Sequence, residues 1–130
     1  MSKPEVSVKS LRGFGAFKDI LSNGKTINEK PLRLFYVTGG GQQNVVFVGF
    51  AVTRKLRRAV DRNHIKRLMR ESFRIQQASF NNNMQLVDGG LKLVIMYAGS
   101  KTRNPQLVTL NEISVSMHAL LNNISNEVTT

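Results

Sequence analysis

Residues 54 to 74 read Arg-Lys-Leu-Arg-Arg-Ala-Val-Asp-Arg-Asn-His-Ile-Lys-Arg-Leu-Met-Arg-Glu-Ser-Phe-Arg, and nine of the chain's 19 Lys and Arg fall there against only Asp61 and Glu71. Stepping about 100° per residue along a helix separates two faces. Ile65, Leu68, Met69, Ser72 and Ile75 take one side, while Arg62, Asn63, Lys66, Arg67, Arg70 and Arg74 take the other. Phe73 lands near the basic border. The chemistry of such a row is recognition of a polyanion. An Arg guanidinium is a planar fork that matches two phosphate oxygens, or a phosphate and a sugar hydroxyl. Lys66 supplies a mobile point charge, and Asn63 adds an acceptor that cations lack. Cations three and four residues apart repel on a bare helix, a cost that makes sense if an anionic backbone lies across them. A merely solvated helix alternates its charges, and this row has one sign. A membrane-surface helix is disfavoured, because the apolar side is needed to close a core.

Catalytic chemistry is not visible. There is no carboxylate pair at useful spacing and no nucleophile beside a base. Gly39-Gly-Gly41 precedes a strand rather than a helix, so it reads as a hairpin turn and not a phosphate loop. Without cysteine there is no disulfide framework. His64 and His118 stand far apart, so a protein-held metal site is not expected.

The elements that must carry the basic row follow from periodicity. Residues 1–10 are polar and aperiodic and read as a flexible N-terminus. Phe14, Phe17, Ile20 and Leu21 repeat at helical spacing, and Ser22-Asn-Gly24 supplies a stop, with Gly24 free to adopt the left-handed conformation. Leu32–Val37 and Asn44–Thr53 read as strands paired in a hairpin. In the second, Val46, Val48, Phe50 and Val52 share a core face; Phe47, Gly49 and Ala51 share the other, where small residues leave room for something to approach. The basic helix runs from about residue 58 to about residue 76, and Asn81-Asn-Asn83 marks a loop. Leu91–Ala98 is a continuous apolar strand buried on both faces. Thr109 caps a last helix, with Glu112 placed to complete a capping box. Leu110, Ile113, Met117, Leu120, Leu121 and Ile124 form its core stripe. The domain is therefore α+β, a small sheet covered by helices, spanning residues 11–124, with 125–130 a flexible tail.

The bulk numbers agree. The 130 residues fit one domain, 41% are hydrophobic, and 19 Lys and Arg against eight Asp and Glu give a formal net charge of +11. A small domain so charged looks for nucleic acid, because each phosphate contact releases condensed counterions. The N-terminus lacks a signal-peptide pattern and no apolar run is long enough to span a bilayer, so a cytoplasmic protein is expected.

Val60-Asp-Arg-Asn-His-Ile-Lys-Arg-Leu-Met-Arg-Glu71 resembles the signature helix of the bacterial ribonuclease P protein component, whose pattern is close to Arg-Asn-Arg-Ile-Lys-Arg-X-X-Arg-Glu. Arg62, Asn63, Ile65, Lys66, Arg67, Arg70 and Glu71 are in register with it. Val48–Lys55 looks like the family's strand ending in Ser-Lys-Lys, and Ala59-Val60 like the dipeptide that opens its helix. Phe17, Ile20 and Gly24 match an upstream pattern, and Leu93–Ala98 looks like the last strand, so the resemblance covers residues 11 to 124. His64 stands where the family usually has a second Arg, and Leu56-Arg-Arg58 replaces a hydrophobic-Gly-Asn turn.

The resemblance implies a fold similar to the second domain of ribosomal protein S5, with a left-handed βαβ crossover and the order α-β-β(-β)-α-β-α. It implies a protein subunit that does no chemistry itself: a large RNA, using Mg²⁺ bound mainly by that RNA, cleaves the 5′ leader from precursor tRNA. The partners implied are the ribonuclease P RNA and the single-stranded leader, with no membrane and no small-molecule substrate. The RNA-binding residues would be Arg54, Lys55, Arg58, Arg62, Asn63, His64, Lys66, Arg67, Arg70 and Arg74. A cleft between the first helix and the sheet would hold the leader against Phe17, Arg33, Phe35 and Phe47, since single-stranded RNA favours aromatic platforms in a basic groove.

A ribosomal or general RNA-binding protein shares the charge. A DNA-binding regulator would place its recognition helix after another helix, whereas a strand precedes this one. A protein-only nuclease would need clustered acidic metal ligands.

Overall fold

The computed structural model describes residues 6–39, 44–83, 90–99 and 104–128. The elements are β1 (Ser7–Ser10), α1 (Phe14–Asn23), β2 (Lys25–Glu29), β3 (Leu32–Thr38), β4 (Val45–Val52), α2 (Ala59–Asn83), β5 (Leu91–Tyr97), a 3-10 turn (Pro105–Leu107) and α3 (Leu110–Val128). The five strands lie in the order β1-β4-β5-β3-β2. β1 and β5 run parallel to β4, and β3 runs antiparallel to β2 and β5.

The most deeply buried strand takes the middle. In β5, Leu93, Val94 and Ile95 are each 0% exposed, which requires cover on both faces. On one face Leu93 and Ile95 meet α2 and α3 through Ile65, Met69, Ile113, Met117 and Leu120, all fully buried. Each such side chain contributes about 1.5–3 kcal/mol by leaving water. On the other face Val94 meets Leu11 and Ile20 beneath α1, in a smaller cluster. Thr109 caps α3, its Oγ1 accepting from the Glu112 N–H at 3.3 Å.

Several expectations are corrected. β3 and β4 are not a hairpin: β5 returns through α2 and inserts between them. The hairpin partner of β3 is β2, across a turn with a cis Lys30–Pro31 bond. β2 has a polar sequence in which Ile27 alone packs on the core, so it carries almost no periodic signal. Residues 7–10 are an edge strand rather than a frayed end, with Val6 and Val8 packing inward. α2 continues through Asn83 instead of ending near residue 76, and α3 continues through residues 125–128. Residues 1–5, 129–130 and most of the Gly39–Gly41 turn lie outside the described residues. Gly24 is not left-handed (φ −75°). A Cβ there would sit 2.6 Å from the Ile20 carbonyl and 3.0 Å from that of Tyr36, so lack of space selects glycine.

The core side of α2 is rotated from the expected one. Phe73 is 5% exposed and stands edge-on to Phe50 at 5.9 Å, whereas Ile75 is 57% exposed. Periodicity finds a stripe but not the sheet it faces. Here β4 lies on the Phe73 flank and draws that ring inward.

Candidate nucleic-acid interface

With that rotation, Asn63, Arg67, Arg70 and Arg74 point away from the core along one exposed side of α2. Arg74 is partly neutralised. Its Nε donates to Glu71 Oε2 at 3.3 Å and its Nη2 pairs with Oε1, which holds the Glu71 carboxyl below its ordinary pKa and raises that of Arg74.

The flanks of α2 differ. Arg62 and Lys66 face the sheet side and line a cleft with β4 and α1. Arg62 Nη1 donates to the carbonyl oxygens of Leu56 and Arg57 at 2.8 and 2.6 Å, so this guanidinium braces the loop that carries Arg54, Lys55, Arg57 and Arg58. On the opposite flank His64 Nε2 lies 3.3 Å from the Val108 carbonyl, and Arg67 Nη2 lies 3.5 Å from His64 Nδ1. An Nε2–H tautomer satisfies both contacts, leaving Nδ1 as the acceptor. Beside it buried Asp61 accepts from Gln106 Nε2 at 2.8 Å, in the first turn of α2, where the helix dipole favours a carboxylate. The two contacts anchor the 3-10 turn to the start of the basic helix.

The cleft has a volume of about 1240 Å³. Its floor is apolar, from Leu11, Phe17, Leu21, Phe50, Ala51, Val52 and Met96, and its rim holds Arg12, Arg54, Arg57, Arg62 and Lys66. It opens because β1 pairs only with Val45–Val48, so the end of β4 has no neighbour on that side. Phe17 seats over Gly49: a Cβ at Gly49 would lie 2.4 Å from the Phe17 ring. Glycine thus lets α1 approach the sheet closely, as its small side chain suggests.

Of the residues expected in the cleft, Phe17 lines it. Arg33 does not line it; it stands beside Met96 of the floor on the neighbouring strand β3, its Nε donating to Asn28 Oδ1 at 2.7 Å. Phe35 and Phe47 do not line the cleft; both are half-buried in the cluster under α1. Arg12, Arg57 and Met96 also line the cleft and are not among the residues expected there. Arg57 carried a signal, sitting within the cationic run 54–58; Arg12 and Met96 join the site only through the fold.

A helix with a one-signed exposed side, joined by a cationic loop to an apolar cleft with a basic rim, is the geometry of an RNA-binding surface. The family model described as Ribonuclease P matches residues 7–123. The chain belongs to the ribonuclease P protein family. It is similar to the ribonuclease P protein component of Nitrosococcus oceani, 37% identical over 92 residues, which is 70% of this chain and 69% of that one. It is also similar to the Caldanaerobacter subterraneus protein component, 35% identical over 71 residues, 55% of this chain; the match spans 60% of that relative's length. Its fold is that of the RNase P proteins of Staphylococcus aureus (TM-score 0.66, 19% identity, 93% of this chain and 97% of that one) and Thermotoga maritima (TM-score 0.67, 22% identity, 88% and 96%).

Proposed function

We propose that this member of the ribonuclease P family is the protein subunit of a ribonucleoprotein that removes the 5′ leader from precursor tRNA. The observation that carries the reading is the meeting of two surfaces at one loop. The exposed row of α2 leads into residues 54–58, and the same loop forms the rim of the cleft. One surface serves the RNA subunit and the other the single-stranded leader, so the protein lies where the two RNAs converge.

Its contribution is electrostatic and positional. Two RNAs brought together repel through their phosphates. Arg67, Arg70 and Arg74 screen that repulsion on one side, and Arg12, Arg54, Arg57 and Lys66 on the other, each contact releasing counterions. Bases of the leader stack on the apolar floor around Phe17. The hydrolysis itself belongs to the RNA and its Mg²⁺. The metal ligands in this reading are RNA oxygens. The isolated protein is inactive. No described helix is long and apolar enough to cross a membrane, and a cytoplasmic site of action accords with the RNA partners.

Binding of precursor and mature tRNA to the cognate RNA subunit, with and without the protein, tests this. The protein should tighten binding of the precursor selectively. Equal tightening of both tRNAs would favour the reading of a general RNA-binding protein.

A further inference from the structure

Lys92 is out of place in its strand. β5 is the middle of the sheet, and Leu91, Leu93, Val94 and Ile95 around it are 1% exposed or less. A lysine there is costly unless its ammonium reaches water or an anion. The register shows what stands beside it: Phe47 of β4 is its direct neighbour, and Lys9 of β1 is the neighbour of Phe47. With strands about 4.8 Å apart, Lys9, Phe47 and Lys92 form one row on one face. Lys9 is exposed, and Phe47 and Lys92 are half-buried. Among the described residues neither lysine has an ion-pair partner.

The row shares the α1 face of the sheet but is not part of the cleft. Phe17 stands over Gly49; Ala51, the next residue of β4 on that face, lines the cleft, and Phe47, the preceding one, lies on the far side of that seat. The two places communicate around the start of α1. Arg12 is on the cleft rim, as is Leu11 on its floor, and Lys9 precedes Leu11 by two residues, about 7 Å along an extended chain. A strand of RNA leaving the cleft past Arg12 therefore meets Lys9 next.

We infer that Lys9, Phe47 and Lys92 form a second platform for single-stranded RNA, holding the part of the leader that extends beyond the cleft. The inference rests on the leader reading above. A base lies on the Phe47 ring, and the two lysines take the phosphates on either side. Neither interaction reads base identity, so the platform tolerates any leader sequence and responds to leader length.

The test is the affinity of the holoenzyme, assembled with its cognate RNA, for precursor tRNAs that differ only in leader length. With the native protein, affinity rises as the cleft fills and rises again when the leader is long enough to round α1. The double variant Lys9→Gln/Lys92→Gln keeps the first rise and loses the second, binding the longest leaders about tenfold more weakly. Phe47→Leu, which keeps apolar packing under α1 and removes the ring, shows the same pattern. Equal weakening at every length, mature tRNA included, or no change at any length, overturns the platform. A native holoenzyme indifferent to leader length altogether overturns the cleft reading, and the platform with it.

Discussion

Arg62 turns back onto the protein: its Nη1 donates to the Leu56 carbonyl at 2.8 Å, and the Arg57 carbonyl accepts from the same nitrogen at 2.6 Å. A cation that the pattern of α2 assigns to RNA thus acts through the loop it braces. Arg62→Gln should free residues 54–58 and weaken RNA binding about tenfold, a loss of the size of a charge-assisted hydrogen bond. The number of phosphates contacted stays the same, so the slope of log K against log salt should not move. A slope reduced by about one would make Arg62 a direct phosphate ligand.

Arg67→Ala and Arg70→Ala should behave in the opposite way. Both side chains are exposed, so thermal melting should stay within about 0.5 kcal/mol of the native protein. Each should weaken binding to the RNA subunit and lower the salt slope by about one. Equal thermal destabilisation in both variants would contradict the outward assignment of this row.

The Glu71–Arg74 pair gives a pH signature. Arg74 holds the Glu71 carboxyl below its ordinary pKa, chiefly through the hydrogen bond. A carboxylate depressed in the folded state stabilises above its unfolded pKa, and that contribution is lost as pH falls through the folded value. The pair is exposed, so its effect on melting should be slight. Carboxyl NMR titration should find Glu71 low, and Arg74→Gln should return it to the ordinary range. Glu71→Gln should release Arg74 and strengthen RNA binding.

Gly49→Ala tests the seat of α1. The added methyl would meet the Phe17 ring at 2.4 Å, so the ring must move and the cleft with it. Overpacking of this kind costs about 1–3 kcal/mol. Melting should fall, precursor binding should weaken with binding of the RNA subunit kept, and Phe17→Leu in the same background should restore part of the stability. Unchanged melting for Gly49→Ala would show that α1 has slack over β4.

The sequence made some of this legible and hid the rest for physical reasons. The two faces of β4, the α3 stripe from Ile113 to Ile124 and the Thr109 cap are local patterns, and each stands where the sequence pattern puts it; Leu110, at the start of the expected stripe, is only half-buried. Strand order is not local. Leu32–Thr38 and Val45–Val52 are adjacent in sequence and look like a hairpin, yet the burial demanded by Leu93, Val94 and Ile95 places β5 between them. Ser7–Ser10 and Lys25–Glu29 are edge strands with most of their residues exposed, so they carry little apolar signal. The cations of α2 were readable as a row, but only the structure separates Arg67 and Arg70, facing outward, from Arg62, bound to the loop.

As proposed, this chain lets a catalytic RNA remove a tRNA leader under conditions in which the RNA alone fails. The direct measurement is cleavage of a precursor tRNA at low Mg²⁺ by the cognate ribonuclease P RNA, with and without the protein, the protein alone serving as control. Cleavage at the mature 5′ end is expected only when RNA and protein are both present. Unchanged RNA activity in the presence of folded, RNA-binding protein would contradict it.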